Sequence, residues 1–110
     1  PALSFACRNE KQDSVGEAEL TLSKEHINLL PIDIHPIDIK WAEIKTITME
    51  KTWNGRYVLV LSTPEFVPND YRNVMPMVKC DLNRLLAEPE KVYEKVVKYH
   101  RYHNGYGKIE

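Results

Sequence analysis

Ile47-Thr-Met-Glu-Lys-Thr-Trp-Asn-Gly-Arg-Tyr-Val-Leu-Val-Leu-Ser62 is the stretch on which the fold reading turns. Asn-Gly tolerates the positive φ angles of a tight hairpin turn, so Asn54-Gly55 predicts one strand over 47–52 and a returning strand over 56–62. The second arm, Tyr57 to Leu61, is apolar on both faces and rich in β-branched residues. That pattern fits a strand covered on both sides, at least in part.

Upstream, the same period of two recurs. In Glu17 to Ser23 the residues Ala18, Leu20 and Leu22 fall on one face and Glu17, Glu19 and Thr21 on the other, as in a half-buried strand. Ser23-Lys24-Glu25 reads as a turn, and His26 to Leu30 as the returning strand with Ile27 and Leu29 in phase. Pro31 and Pro36 belong at strand ends, because proline removes a ladder donor. Ile37, Ile39 and Trp41 then alternate with Asp38 and Lys40. The phase slips between Ile44 and the pair Ile47 and Met49, which calls for a bulge or a bend. Ala2 to Arg8 supplies a first strand, followed by a polar loop from Asn9 to Gly16.

Downstream, Thr63 to Pro76 is loop-rich, and Met77 to Asp81 is a candidate last strand. Leu82 to Ala87 reads as a short helical turn. Pro89 suits a first helical turn, and Val92, Val96, Tyr99 and His103 then form an apolar stripe beside Tyr93 and Val97. Glu94 and Lys98 stand four apart in the favourable order, and Asn104-Gly105 is a natural stop. About seven strands followed by a helix near 89–103 predict a mostly-β chain: an antiparallel sheet or barrel capped by a C-terminal amphipathic helix.

The 110 residues, 43% hydrophobic and 28% charged, have the size and balance of one globular domain spanning 1–110. A net charge of -1 argues against a dedicated nucleic-acid binder. Two cysteines, Cys7 and Cys80, make no disulfide framework and point to a reducing, cytoplasmic setting. No apolar run approaches the about 20 residues that span a bilayer, so any membrane anchor is expected outside this chain.

The run from Gly16 to Leu30 resembles the opening hairpin of GRAM and bacterial PH-like domains. Ile39-Lys-Trp-Ala-Glu-Ile-Lys-Thr-Ile47 is similar to their next segment, where an apolar strand steps into an Ile-x-x-Ile spacing. The resemblance covers roughly Gly16 to His103. It implies a bent, nearly closed barrel of seven strands plugged by the helix. It also implies a binding or adaptor role toward lipid headgroups, peptides or proteins, with no reaction. The family's phosphoinositide region corresponds to Arg8–Gly16, where Arg8 and Lys11 are accompanied by Glu10 and Asp13. Phosphate recognition needs more concentrated positive charge than that.

Five residues are candidate surface contacts: Lys51, Trp53 and Arg56 at the hairpin tip, and Phe66 and Tyr71 in the long loop. The ordinary expectation for the tip is that Trp53 folds back onto the sheet. Exposed, it would anchor a protein partner or dip into an anionic membrane interface. Lys98 to His103 interleaves bases with aromatics, which reads first as a helix end whose cations complement the dipole, and otherwise as a nucleic-acid contact. His100 and His103 could share a metal only if His26, His35 or a cysteine joined them. His26 and His35 read as surface residues, and Cys7 and Cys80 as buried thiols. No nucleophile frame, phosphate loop or cofactor motif is present, so no catalytic residue, metal or cofactor is assigned. The expectation is a non-catalytic binding module. The rivals are a small enzyme with a pocket lined by histidines and acids, and a homodimerisation module.

Overall fold

The computed structural model describes residues 2–9, 14–29, 36–63 and 77–105. It is mostly β, with two antiparallel sheets and one C-terminal helix. Strands β1 (Leu3–Asn9), β2 (Ser14–Leu22), β3 (His26–Leu29) and β4 (Ile37–Lys40) form a four-stranded meander. Strands β5 (Thr46–Lys51), β6 (Tyr57–Ser62) and β7 (Met77–Asp81) form a three-stranded one. Helix α1 spans Pro89–His103.

The alternation read from the sequence sets the inner faces. Leu20, Leu22, Ile27, Leu29 and Ile39 are fully buried, and β3 registers Ile27 against Leu22 on one side and Ile39 on the other. From the second sheet come Leu59, Leu61 and Val78. Val58 and Val60, on the opposite face of β6, are also nearly buried, as expected for the central strand of its sheet. The β2–β3 turn is closed by Ser23, whose backbone N–H donates to the His26 carbonyl at 3.0 Å. The Ser23 hydroxyl donates to the same carbonyl at 2.9 Å.

The phase slip before β5 has a definite cause. Trp41 does not continue β4; it opens a 3-10 turn over Trp41–Glu43. That turn carries the chain from one sheet to the other, so Ile44 and β5 answer to a different sheet from Ile39. A second 3-10 turn, Leu82–Arg84, follows β7, with the Asp81 side chain accepting from the Asn83 backbone N–H.

The expected nearly closed barrel is not what the described strands form: they pair as two sheets. Between the first sheet's β1 edge and the chain after β7 there are two links. Cys7 makes an isolated bridge with Leu85, and the Leu86 N–H donates to the Ala6 carbonyl at 3.1 Å.

Helix α1 lays Val92, Val96 and Tyr99 into the core. Burial of each valine contributes on the order of 1.5–3 kcal/mol. The stripe departs from the sequence reading at its end. His103 is exposed, and His100 turns inward instead, donating from Nε2 to the Ile44 carbonyl at 2.9 Å. The Tyr93 hydroxyl reaches the Ile47 carbonyl at 3.4 Å. Earlier helix residues thus meet later β5 residues, so α1 runs antiparallel to β5. The Glu94–Lys98 pair is not among the ion pairs of the described residues. No helix among them is long and apolar enough to cross a membrane.

Candidate functional site

The β5–β6 hairpin is built by backbone bonds that define its loop. The Thr52 N–H donates to the Arg56 carbonyl at 2.8 Å, and the Gly55 N–H donates to the Thr52 carbonyl at 2.9 Å. Trp53-Asn54-Gly55 is therefore a three-residue loop whose last member sits at φ +83°, the left-handed conformation that glycine adopts without steric cost. The Thr52 side chain stiffens it. Its hydroxyl donates to the Asn54 side-chain oxygen and accepts from the Arg56 N–H at 3.1 Å.

Arg56 does not stand free at the tip. Its Nε and Nη2 both reach Oδ2 of Asp81, at 2.9 and 2.6 Å. The other Asp81 oxygen accepts from the Asn83 N–H at 3.0 Å, and the Asn83 side-chain oxygen accepts from the Tyr57 N–H. The end of β7 thereby clamps the base of the hairpin. The Arg56 side chain is 47% exposed, so solvent screens the pair and its contribution is at most about 1 kcal/mol. Lys51 places its ammonium 5.7 Å from the centre of the Tyr57 ring.

Trp53 is 97% exposed. The expectation that it folds back onto the sheet is overturned. The three-residue loop, the threonine brace and the arginine clamp hold the indole out in water. The tip can insert a rigid aromatic side chain into an apolar pocket of another molecule, beside one cation already tied down and one lying over a ring. Around it stand Glu50 and Asp81 as well as Lys51 and Arg56, so the local charge is balanced.

The other sequence candidates do not join it. Phe66 and Tyr71, with the whole loop 64–76, lie outside the described residues, as does His35. Exposed His26 lies 3.8 Å from Asp38, which also accepts from the Asn28 side chain at 2.8 Å on the outer face of the first sheet. His100 is held by the Ile44 carbonyl, against Trp41. Among the described residues no group of three or more His, Cys, Asp or Glu is arranged to hold a metal. Cys7 is only partly buried, and Cys80 is buried, with its thiol pushed up to about 12 by burial and, secondarily, by the charges of Glu19 and Asp81.

Sequence reasoning missed Asp81 and Asn83 as supports of the tip. An Asp-x-Asn after a strand is a turn-capping signal, but nothing local says that its carboxylate receives an arginine 25 positions upstream. Comparison of the chain with protein-family models, with curated proteins and with solved structures gives no match, so the reading of this hairpin rests on its own geometry.

Proposed function

We propose that the chain is a non-catalytic binding module of PH-like type that grips a protein partner through the β5–β6 hairpin, with Trp53 as the inserted side chain. The observation that carries this is the 97% exposure of Trp53 on a loop fixed by four hydrogen bonds and an ion pair. Tryptophan and arginine dominate the energetics of protein interfaces. A side chain already held in its binding position loses little freedom on association. The balanced charges at the tip favour a protein pocket over an anionic bilayer, which would draw an excess of cations.

The PH-like part of the reading is supported by element order: four antiparallel strands, three antiparallel strands, then a helix that shares their core. The Cys7–Leu85 and Ala6–Leu86 links are the places where a nearly closed barrel would join its sheets. The rival enzyme needs histidines and acids in one cleft, and the described histidines sit on separate elements with separate neighbours.

The test is affinity capture from cells of the source organism with the native chain and Trp53→Ala side by side. A partner held by the native chain, lost at least tenfold by an equally stable Trp53→Ala, supports the reading. Identical capture by both chains ends it. Recovery of the chain's own second copy would replace it with homodimerisation.

A further inference from the structure

We propose that the pole of the molecule opposite the hairpin tip, built around Trp41 and His100, docks onto an anionic membrane surface. The Trp41 indole N–H donates to the Ser23 carbonyl at 2.7 Å, and its backbone N–H donates to the Glu25 carbonyl at 3.1 Å. The His100 ring lies 6.1 Å from the Trp41 ring and bonds the Ile44 carbonyl. These contacts draw the β2–β3 turn, the Trp41–Glu43 turn and the last turns of α1 to one end of the fold.

Exposed cations flank that clasp. Lys24 sits between Ser23 and Glu25, Lys40 precedes Trp41, Lys45 follows Ile44, and Arg101 follows His100. Lys98 stands three residues before Arg101, on the same side of the helix. None of the five has a carboxylate partner among the described residues, whose ion pairs are His26–Asp38, Arg84–Glu19 and Arg56–Asp81. Two carboxylates share this end: Glu25, exposed, and Glu43, half-buried with one oxygen that accepts no bond. Cations therefore outnumber acids here by three, on a chain whose net charge is -1.

The chemistry of these side chains selects the occupant. Four of the five are lysines, compact ammonium groups on flexible stems. They respond to a diffuse negative field and lack the fixed fork that arginine offers to single phosphates. All are solvated, so no desolvation cost opposes their approach to headgroups. Tyr102, next to Arg101, is exposed and suits the interfacial layer where tyrosine concentrates. β5 leads away from this pole toward Lys51, and at about 3.3 Å per residue it puts the tip some 20 Å distant. A domain seated by this pole would hold Trp53 away from the bilayer. The inference stands independently of what Trp53 binds.

The experiment is co-sedimentation of the full chain with vesicles of phosphatidylcholine alone and of phosphatidylcholine mixed with phosphatidylserine, at low and high salt. The expected result is binding to the mixed vesicles only, abolished by high salt. Each of Lys24→Gln, Lys45→Gln and Arg101→Gln should weaken it about fivefold, and the triple variant about a hundredfold. All three positions are exposed, so circular dichroism should show an unchanged fold. Trp53→Ala and Lys51→Gln should bind as the native chain does. The proposal is overturned by no binding, by equal binding to neutral vesicles, or by binding that the tip variants weaken and the triple variant does not. Capture of polyglutamate without vesicle binding also overturns it, and gives the pole to an acidic polypeptide.

Discussion

The two tryptophans of this chain follow alternating, lysine-bearing strand segments that look much alike, and they meet opposite fates. Trp41 is fully buried, its indole N–H satisfied by the Ser23 carbonyl and its ring beside Tyr99 and His100. Trp53 is 97% exposed and makes no ring contact among the described residues. The difference lies in the backbone. A 3-10 turn directs Trp41 inward at the point where the chain changes sheets, whereas a three-residue loop with glycine in the left-handed region carries Trp53 beyond the last cross-strand pair, Lys51 with Tyr57. Residue type gave no means of telling them apart; the turn each one occupies did.

Substitutions should expose this asymmetry directly. Trp41→Ala removes a buried indole and orphans the Ser23 carbonyl. It should cost about 3–5 kcal/mol in chemical denaturation, enough to leave a marginal domain largely unfolded. A loss below about 1 kcal/mol would mean that the corner around Trp41 is not the keystone of the core.

The same core should show an alkaline weakness through Cys80. Its folded pKa of about 12 lies above the ordinary 9.0, so the unfolded thiol ionises first and binds fewer protons. Stability contributed by the buried neutral thiol is complete below about pH 9 and falls as pH rises toward about 12, by up to tenfold in the unfolding constant per pH unit. Subtracting the denaturation profile of Cys80→Ala isolates this slope. In the native state, thiol reagents should label Cys7 before Cys80.

At the tip the effects should be smaller. A Cβ at Gly55 would meet nothing within 4 Å, so Gly55→Ala is opposed by the backbone alone, at about 1–2 kcal/mol. A cost near zero would show that the loop relaxes to another turn. Asp81→Asn keeps the acceptor for Asn83 but removes the charge facing Arg56, and should cost no more than about 1 kcal/mol. Amide exchange at Gly55 should quicken if the clamp holds the hairpin base. Trp53→Ala should change stability by less than about 0.5 kcal/mol, because the indole packs on nothing that folding buries. A larger loss would place Trp53 back on the sheet.

Much of the architecture was legible because it is written locally. Met77–Asp81 and Pro89–His103 coincide with the expected segments, since a period of two and a stripe at three- and four-residue steps each declare themselves within one element. β2 begins at Ser14, ahead of the expected Glu17, because Ser14 and Val15 are held by pairing with Asn9 and Arg8 and not by a pattern of their own. The reading of the phase slip as a bulge or bend found the right place. That the bend separates two sheets depends on which strand β5 meets next, and that information lies in Tyr57–Ser62. Of the tip, Asn54-Gly55 announced the turn. The arginine clamp could not be read, because Arg56 and Asp81 are brought together only when β6 pairs with β7. The inward turn of His100 likewise waits on the Ile44 carbonyl, 56 positions away.

The placement of α1 has a bearing on how the chain is made. Val92, Val96 and Tyr99 supply one wall of the core, yet they are synthesised after every strand they cover. At about 5–20 residues per second, the ribosome leaves the two sheets without that wall for roughly a second or more after β7 is complete. During that interval Leu20, Leu22, Leu59 and Leu61 have no helix to close over them, and the nascent sheets are at their most vulnerable to association with other chains. The arrival of fifteen helical residues ends that exposure. In vivo yield should therefore depend on the speed of translation through Pro89–His103 more steeply than on its speed through any strand.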